Sequence, residues 1–443
     1  MLNRWISAVS NRFDAGFSPD PVDWRTIGRE AEYPVVLANG EAADIKALWP
    51  LLTQSAEKDG VQFKVSKEGD MVVMLEGPQF SFAAEVGKGT IEVITEPAQD
   101  LNELADWHES AMKHLLWATG QQGWHVLGYG IQPCTPATPD LMSPKKRYGV
   151  LLETIGELWL WFTLTASDQI QVDLSREELI PTTNLCNLLA PVTVALTANS
   201  PIFDGQYSGA CSAREQRMGE IGTAHGRHGM PTRPARSTED FVSSLIRQPH
   251  LMKRTNGVLG PATGTFADHI QKHGADVGAP EGELFAQIFS DYLLHEHYIW
   301  NSARPRSAHG TLELRAACQQ PWSEHMAAAA LGLGLVEAAA PLSRYVHETL
   351  GDGAWNRCTQ WHAAVIRRGL AAPPPVDNFI QDILSLCKRG LVRRGRGEER
   401  FLAPLESRVN AHTNPAQSAK RAFDAGGMAA LIAHTQCNPN THL

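Results

Sequence analysis

The sequence predicts an α+β protein in which antiparallel strands form a sheet and helices are inserted between the strands. Short runs rich in β-forming residues follow one another between residues 26 and 100, separated by glycines and charged turns, which favours antiparallel strands over βαβ units. Further strands recur singly later in the chain, between longer stretches with helical periodicity. This mixture is typical of one sheet decorated by helices.

Composition is that of a globular protein. With 443 residues, 43% of them hydrophobic and 20% charged, the chain is long enough for one large domain or for two or three ordinary ones. Its formal charge of −9 opposes a general nucleic-acid binder, and the basic stretch KRGLVRRGRGEER is expected to be a solvated helix end. No apolar run of about 18 residues or more occurs, and the N-terminal stretch lacks the apolar core of a secretory signal, so we expect a cytoplasmic protein without a membrane partner. Seven scattered cysteines without a Cys-x-x-Cys pair are typical of reduced, mostly structural thiols.

The first hundred residues are expected to form a lead-in and then a series of strands. Residues 1–25 are dotted with proline and aspartate, and we expect them to be loosely attached. The strands are predicted from the stretches YPVVLA, VQFKVS, MVVMLEG, FSFAAEV and TIEVITEP.

The middle of the chain alternates helix and strand. Residues 101–123 have helical periodicity and end at a pair of glycines, and HVLGYGIQP then has the composition of a strand. In TASDQIQVDLS the polar side chains of Gln169, Gln171 and Asp173 face one way and apolar ones face the other. Residues 181–201 are expected to form a helix that ends before a proline.

The second half is expected to be mainly helical. Residues 204–282 are rich in glycine, arginine and histidine, which predicts long inserted loops with mobile sections. Helices are predicted over residues 281–300 and 323–350, with the strand GTLELRAA between them. Residues 406–443 are expected to be a C-terminal helical tail, which leaves residues 26–405 as one domain with inserted loops.

Acidic side chains lie on several of the predicted strands. Glu30 and Glu32 are two apart in TIGREAEYPVV, so in an extended chain they share one face. Carboxylates this close repel each other unless a metal ion or an arginine lies between them. Glu92 in GTIEVITEP, and Glu313 beside Arg315 in HGTLELRAA, add two more strands with acids. Such oxygen-rich sites suit Mg²⁺ or Mn²⁺, usually shared with the phosphates of a substrate.

Phosphate chemistry also needs cations that neutralise the transferred group. The chain offers candidates in several motifs: Lys145, Lys146, Arg147, Arg214, Arg217, Arg304, Arg306 and Arg315. The P-loop, the G-x-S-x-G elbow and the His-Glu-x-x-His motif are all absent. His295 and His297, two apart on a helix, face different sides and are interpreted as ordinary, partly buried histidines. A reaction whose substrate supplies the nucleophile requires none of these groups.

Nine stretches of the sequence, taken in order, resemble the type 2 glutamate–cysteine ligases and the related carboxylate–amine ligases. They are GREAEYPVV, IEVITEP, GYGIQP, SPKKRY, TASDQIQVDLS, PVTVALTANSPIFDG, SAREQRM, YIWNSARPRSAHGTLELR and RGRGEERFLAPL, and they cover roughly residues 26–405. The resemblance implies a ligase catalytic domain built on a curved antiparallel sheet like that of glutamine synthetase, with the active site in the funnel formed by the sheet. It also implies that ATP and Mg²⁺ or Mn²⁺ serve to phosphorylate a carboxylate, usually the γ-carboxylate of glutamate, before an amine displaces the phosphate.

The same resemblance implies roles for individual residues. The metal is expected on Glu30, Glu32, Glu92, Glu313 and Gln171. The phosphates of ATP and the catalytic step are expected to involve Arg304 and Arg315. The amino-acid substrates are expected to contact Arg147, Tyr148, Arg214 and Gln169.

Three functions remain open from the sequence. The first is formation of γ-glutamylcysteine, as in the glutathione pathway, and the second is the same chemistry with another acid and amine. The second is kept because AACQQP, with Cys318, Gln319 and Gln320, departs from the family pattern and implies a site wall of different polarity. The third is a non-catalytic protein that binds an amino acid or a nucleotide. A lid within residues 204–282 is a further hypothesis, and the oligomeric state stays open.

Overall fold

The computed structural model describes residues 2–225, 227–274 and 280–438. Its strands are β1 (Ile27–Val36), β2 (Lys64–Glu68), β3 (Met71–Glu76), β4 (Phe80–Ala84), β5 (Thr90–Ala98), β6 (His125–Val126), β7 (Asp168–Asp173), β8 (Ile202–Phe203), β9 (Gln206–Tyr207), β10 (His228–Gly229), β11 (Met252–Thr255), β12 (Val258–Pro261), β13 (Trp300–Asn301), β14 (Ala303–Arg306) and β15 (Thr311–Leu314). Nine of these described strands form one antiparallel sheet in the order β14-β15-β7-β1-β5-β4-β3-β2, with β6 paired to the end of β1. The predicted mixture of helices with a large antiparallel sheet is therefore confirmed.

Helices make up most of the rest of the described chain. They are α1 (Leu2–Asp14), α2 (Leu48–Lys58), α3 (Leu101–Gln122), α4 (Lys146–Ile155), α5 (Arg176–Leu188), α6 (Ala190–Thr197), α7 (Ala213–His225), α8 (Thr238–Ile246), α9 (Phe266–Gly274), α10 (Gly282–His297), α11 (Ala327–Glu337), α12 (Ala339–Leu350), α13 (Ala354–Arg368), α14 (Phe379–Arg394), α15 (Ala403–Ala411) and α16 (Pro415–Thr435). Within the described ranges, no single helix combines the length and the apolar character needed to cross a membrane, although two sharply bent helix pairs meet both criteria when taken together.

Alternation along β1 gives the sheet two unlike faces. Ala31, Tyr33 and Val35 are fully buried in an apolar core that also contains side chains of α2 and α3. Because successive side chains of a strand point to opposite faces, Glu30 and Glu32 lie on the face turned away from that core. The helices thus cover one face and leave a polar row on the other.

The predicted strands and the first long helix agree with the structure. Each of the five β-rich runs of the first hundred residues contains one of the strands β1 to β5. Helix α3 begins where Asp100 accepts hydrogen bonds from the N–H groups of Asn102 and Glu103, at 2.9 and 3.0 Å. It ends at Gly123, whose φ of 69° is a backbone conformation that glycine adopts without strain.

The N-terminal segment is not loosely attached, so that prediction is wrong. Residues Leu2–Asp14 form α1, and Trp5, Val9 and Phe13 are at most 1% exposed in the largest apolar core. Their spacing of four residues places them on one face of the helix, where they pack against α8 and α9. The prediction of a loose segment rested on the prolines and aspartates that follow the helix, and it overlooked the short amphipathic pattern before them.

The region 204–282 is also more regular than predicted. Its described residues form α7, α8, α9, the hairpin β11–β12 and short two-residue strands, so the expectation of long loops is wrong. Ser237 caps α8 by accepting a hydrogen bond from the N–H of Asp240 at 3.1 Å. These helices are short and their apolar residues are few, so tertiary contacts rather than periodicity hold them. Residues 226 and 275–279, also covered by this prediction, lie outside the described residues.

Several predicted boundaries need correction. The helix expected over residues 181–201 is divided at Leu189 into α5 and α6, and Pro191 lies in the first turn of α6, where a missing N–H is tolerated. The helix expected over residues 323–350 is divided at Ala338 into α11 and α12. HVLGYGIQP contributes only the two residues of β6, and α2 was not predicted. The C-terminal segment is helical as predicted in its described part.

The basic end of α14 is solvated only in part, because Arg393 and Arg396 are exposed as predicted whereas Arg394 is not. Only 4% of the Arg394 side chain is exposed, and it pairs with Glu337 at 2.9 Å and with Glu398 at 2.6 Å. Its guanidinium also stacks on Trp24, 4.3 Å from the ring centroid. This arginine ties the C-terminal helices to the segment before β1.

Candidate active site

Three carboxylates from two neighbouring strands and one turn converge on the polar face of the sheet. Glu32 on β1 lies directly opposite Glu92 on β5 in the strand register. Glu85 follows β4 immediately, at the turn that leads into β5. One oxygen from each of these three side chains lies within 4.8 Å of the others. We call Glu32, Glu85 and Glu92 the acidic group.

Donors on β7 fix the orientation of the carboxylates on β1. Glu32 accepts hydrogen bonds from the backbone N–H of Ser167 at 2.6 Å and from Nε2 of Gln169 at 2.7 Å. Glu30 accepts one from Nε2 of Gln171 at 2.7 Å. The alternation predicted for β7 is confirmed, because its two glutamines point to the same face as the acids of β1.

Burial and mutual repulsion raise the pKa of two members of the acidic group, Glu32 and Glu92. Burial, followed by the charge of Glu85, raises the pKa of Glu32 to about 7. Burial, followed by the charges of Glu85 and Glu30, raises the pKa of Glu92 well above its ordinary value. Carboxylate oxygens are the ligands that Mg²⁺ and Mn²⁺ prefer, and a divalent cation would remove the repulsion. The donor set of the acidic group therefore fits such an ion.

Next to the acidic group, three arginines surround Glu313. Arg304 Nη2 and Arg306 Nη1 lie 2.9 and 3.0 Å from its carboxylate, and Arg315 also pairs with it. Although burial by itself acts to raise the pKa of Glu313, the three guanidinium groups outweigh burial and hold that pKa below its usual range. Glu313 thus stays ionised. Glu30 and Glu296 also lie near these arginines, but burial raises the pKa of both carboxyl groups and so weakens their negative charge. Arg304 and Arg315 bring positive charge to the lining of the pocket. Arg315 also donates to Gln169, which links the two charged groups.

A pocket opens over both charged groups. It encloses about 830 Å³ of empty space, part of it open to solvent, and it is lined by Glu30, the acidic group, Gln169, Arg304 and Arg315. One part of its wall is aromatic and consists of Tyr148, Trp159, Phe162, Tyr298 and Trp300. The rings of Phe162 and Trp300 are 4.7 Å apart. The pocket therefore offers a site for a cation, a site for an anion and an apolar wall.

The structure brings the residues proposed from the sequence into one region. Those that line the pocket are Glu30, Glu32, Glu92, Gln169, Arg147, Tyr148, Arg214, Arg304 and Arg315. Gln171 and Glu313 do not line it, but Gln171 bonds to Glu30, and Glu313 is held by the arginines. Glu313, Glu30 and Gln171 stand outside the group whose oxygens converge, so their metal roles stay predictions.

Two basic side chains mark a further part of the pocket. Arg214 near the start of α7 is buried, and it donates to the backbone oxygen of Arg315 at 2.9 Å and to Glu215 at 2.5 Å. Arg147 on α4 reaches the hydroxyl oxygen of Tyr148 at 3.3 Å. Both guanidinium groups line the pocket, so a carboxylate of a substrate would find two cations there.

Some pocket residues were not predicted from the sequence. Glu85 is one of them, and the signal that could have found it is the hairpin of β4 and β5, which brings Glu85 close to Glu92. The sequence does not indicate the aromatic wall, because aromatic residues in stretches such as YIW and LWLWF usually belong to an apolar core rather than to a binding site. The interpretation of His295 holds, since it is buried with Nε2 2.8 Å from the backbone oxygen of Leu245. His297 is partly buried as predicted, and it also lines the pocket, with Nδ1 3.2 Å from Arg306 Nη2.

The AACQQP segment does not alter the pocket wall. Cys318, Gln319 and Gln320 are at most 1% exposed, and none of them lines the pocket. Gln319 donates to the backbone oxygen of Glu32 at 2.9 Å, and Gln320 bonds to Arg408 at 2.7 Å. The expected change of polarity at the site wall is therefore wrong, because these side chains support the backbone from behind.

Comparison with known proteins gives a consistent result. The sequence model of the glutamate-cysteine ligase family 2 matches residues 55–434. The chloroplastic glutamate–cysteine ligase of Medicago truncatula is 26% identical over 362 residues, which are 79% of this chain and 69% of that protein. The corresponding enzyme of Brassica juncea is 26% identical over 380 residues, which are 83% of this chain and 71% of that protein.

The fold is also similar to that of a solved structure. It is the glutamate–cysteine ligase of Francisella tularensis in complex with AMP, with a TM-score of 0.55 at 11% identity. The similarity covers 95% of this chain and 88% of that one.

Proposed function

This chain belongs to the glutamate–cysteine ligase family 2, and we propose on this premise that it joins the γ-carboxylate of glutamate to the amino group of cysteine at the expense of ATP. The observation that carries the proposal is the juxtaposition, in one pocket, of the acidic group and the arginines around Glu313. Transfer of a phosphoryl group needs a divalent cation and fixed positive charge in this arrangement.

The acidic group and the arginines are proposed to contact the phosphates of ATP in different ways. Glu32, Glu85 and Glu92 are suited to hold Mg²⁺ or Mn²⁺, with Glu30 beside them. When bound, this ion would neutralise the phosphate oxygens and orient the γ-phosphate. Arg304 and Arg315 point into the same pocket and are suited to stabilise the charge that develops on the transferred group.

The acid substrate is proposed to lie toward Arg147 and Arg214. Two guanidinium groups bind carboxylates well, and here they would orient the γ-carboxylate for in-line attack on the γ-phosphate. In this attack a carboxylate oxygen bonds to the γ-phosphorus and the bond from that phosphorus to the oxygen of ADP breaks, which gives an acyl phosphate and releases ADP. The amino group of cysteine then attacks the acyl carbon, the C–O bond to phosphate breaks, and the proton of the amine leaves with the released phosphate.

The aromatic wall has a role in protecting the intermediate. An acyl phosphate is hydrolysed by water, and this would waste ATP. Trp159, Phe162 and Trp300 form an apolar surface in the lining of the pocket. We also propose that the sheet curves beneath this pocket and forms a funnel. The enzyme is further proposed to act in the cytoplasm, as expected from the sequence.

The experiment that tests the function is ADP release by the purified chain with ATP, Mg²⁺ and glutamate, scanned over a panel of amines that includes cysteine. We expect turnover that depends on cysteine, a product with the mass of γ-glutamylcysteine, and loss of both in Glu30→Gln. Glu96→Gln is the matched control, because Glu96 lies on β5 but is exposed and outside the pocket.

Other outcomes of the same assay contradict the proposal in different ways. Turnover only with another acid or amine would keep the chemistry and reject the substrate pair. An ATP-dependent rise in melting temperature without ADP release under any pairing would favour a binding protein.

A further inference from the structure

A second pocket lies on the far side of the wall that α4 contributes to the catalytic pocket. It is bounded by the hairpin β11–β12 and by helices α9 and α10, and it encloses about 1160 Å³ of empty space, part of it open to solvent. Lys253, Arg254, His269, Lys272 and His273 line it. We call these five residues the basic pocket.

The charges of the basic pocket are not balanced. Within the described part of the chain, Lys253, Arg254 and Lys272 have no carboxylate partner, although the chain as a whole carries a formal charge of −9. The carboxylate among the lining residues is Asp291, which is 3% exposed. Asp291 is already engaged, 3.4 Å from His269 Nε2 and accepting from Gln287 Nε2 at 3.2 Å. The residues that face the cavity therefore leave at least two positive charges uncompensated.

A buried arginine, Arg227, adds positive charge to the layer beneath the pocket, whereas burial lowers the pKa of His250 and His295 and leaves both imidazoles neutral near pH 7. His250 and His295 are buried behind His269, with 4.9 Å between the rings of His250 and His269. Arg227 lies close to both and is fully buried, and it donates to the backbone oxygens of Pro249 and Tyr298. No carboxylate pairs with Arg227 among the described residues. A buried cation paired only with carbonyl groups favours negative charge nearby.

A metal ion is the obvious alternative for a cluster of histidines, and the geometry opposes it. Among the described side chains, the acidic group is the set of three or more ligating residues whose ligand atoms converge within 4.8 Å, and the histidines do not converge in this way. Arg227, Lys253 and Lys272 would also repel a cation. The same positive charges attract an anion, so the electrostatics decide between the two.

We propose that the basic pocket binds a phosphate-type oxyanion at a site separate from the catalytic pocket. Two lysines and an arginine around one cavity supply the charge-assisted hydrogen bonds that a phosphate group takes, and each of the two imidazoles at its edge offers an N–H donor. The inference needs no catalysis, so it stands or falls independently of the proposed ligase reaction.

The hairpin also places this site in contact with the catalytic wall. Leu251 and Met252 at the start of the hairpin belong to the same small apolar cluster as Tyr148, Tyr298 and Trp300, which line the catalytic pocket. Thr154 on α4 donates to the backbone oxygen of Leu251 at 3.0 Å. The two pockets therefore share a packed wall, and each has its own charged lining.

The test is calorimetric titration of the full chain with inorganic pyrophosphate, in EDTA and low salt. The double variant Lys253→Gln/Lys272→Gln removes two charges from the basic pocket, whereas Lys46→Gln/Lys67→Gln removes two from exposed positions outside both pockets. We expect at least tenfold weaker binding in the first variant and less than a twofold change in the second. Equal affinity in all three proteins would overturn the proposal.

Because the catalytic pocket also attracts phosphates, the site must be located directly. Hydrogen exchange with pyrophosphate is expected to slow in peptides covering residues 252–261 and 266–274 of the unmodified chain and to stay unchanged there in Lys253→Gln/Lys272→Gln. Protection confined to β1 and β7 would overturn the proposal. If the double variant does not fold, Arg254→Gln replaces it, since Arg254 is exposed.

Free and esterified phosphate are distinguished by repeating the titration with inorganic phosphate and with glycerol phosphate. Binding of either one that is weakened in the pocket variant supports the site, and the tighter of the two identifies the form of phosphate that it prefers. Absence of binding by both, together with absence of pyrophosphate binding, would overturn it.

Discussion

At the residue scale, the feature that distinguishes this pocket is the position of Glu85. It comes from the turn after β4, whereas Glu32 and Glu92 face each other across β1 and β5. Among the residues that the structure describes, no arginine lies at hydrogen-bonding distance from any of these three carboxylates. Their charges therefore remain available to a cation.

Replacement of Glu85 tests its proposed role as a metal ligand. In Glu85→Gln one of three converging anionic oxygens is lost, so we expect the Mg²⁺ concentration for half-maximal ADP release to rise by more than about tenfold, since even outer-shell partners of a metal contribute about 10–100-fold. The measurement is a Mg²⁺ titration of turnover. Glu96→Gln is expected to match the unmodified chain, and a Glu85→Gln curve that does the same would refute the assignment.

The raised pKa of Glu32 predicts a pH-dependent response to metal. The pKa of Glu32 is about 7 in the folded chain and 4.5 ordinarily. Between pH 4.5 and pH 7, without metal, the folded chain therefore binds a proton at Glu32 that the unfolded chain has released. Because the folded state binds more protons, its stability falls as the pH rises through this range. A divalent cation binds the ionised carboxylates, and its stabilising effect is fully available only above pH 7. We expect Mg²⁺ to raise the melting temperature more at pH 8 than at pH 5.5.

Calorimetric melting with Mg²⁺ or with EDTA at both pH values measures this difference. Glu32→Gln removes one of the titrating groups and is expected to reduce the difference between the two pH values. An equal effect of Mg²⁺ at pH 5.5 and pH 8 would argue against binding at the acidic group.

At the element scale, an ion pair behind the sheet holds β1 against β7. Arg29 and Asp168 have fully buried side chains and form two parallel hydrogen bonds of 2.7 and 2.9 Å. Asp168 lies between Ser167 and Gln169, which are the two residues that hold Glu32 from the other face. The pair therefore supports the register on which the position of Glu32 depends.

Breaking this pair is expected to destabilise the chain strongly. Arg29→Met leaves a buried carboxylate without its partner, which costs about 3–5 kcal/mol of the free energy of unfolding. The midpoint of urea unfolding measures the loss. Arg233→Gln breaks an exposed pair with Asp240 and is expected to leave the midpoint nearly unchanged. Similar midpoints for the two variants would mean that the buried pair contributes little.

The helices of residues 204–282 illustrate why some elements escape prediction from sequence. Helix α7 carries Arg214 and Met218 into the pocket, yet its sequence alternates charged residues and glycines without a wide apolar stripe. By contrast, β1 and β7 were predicted because strict alternation of polar and apolar side chains extends over several residues. Elements held mainly by distant contacts leave little local pattern.

At the scale of the whole molecule, both ends of the chain are packed into cores. Helix α1 contributes Trp5 and Phe13 to the largest core, and α16 contributes Leu431 and Ile432 to a cluster that includes Tyr129. A chain trimmed to the catalytic segment deduced from sequence, 26–405, would lose both helices. Each large buried side chain contributes about 1.5–3 kcal/mol, so several together approach the about 5–15 kcal/mol that stabilises a typical protein.

Trimming the chain tests the contribution of its two ends. We expect the fragment 26–405 to show no cooperative thermal transition, because apolar surface that the two helices cover becomes exposed. A chain that ends at residue 438 is the control and is expected to melt like the full chain. Unfolding of the two shortened chains is followed by circular dichroism, and a fragment 26–405 that melts with the midpoint of the full chain would contradict the expectation.

Local alternation was sufficient to place the carboxylates of Glu30 and Glu32 on one face, because the pleat of a strand follows from covalent geometry alone. The order of short motifs was sufficient to indicate the family. Only the tertiary structure decided that Glu85 joins the acidic group and that α1 is part of the core. It also decided that aromatic residues of β13 and of the segment before β7 together form the aromatic wall of the pocket. These outcomes depend on contacts between residues far apart in the chain, whose free energy comes from packing and burial and has no counterpart in local periodicity.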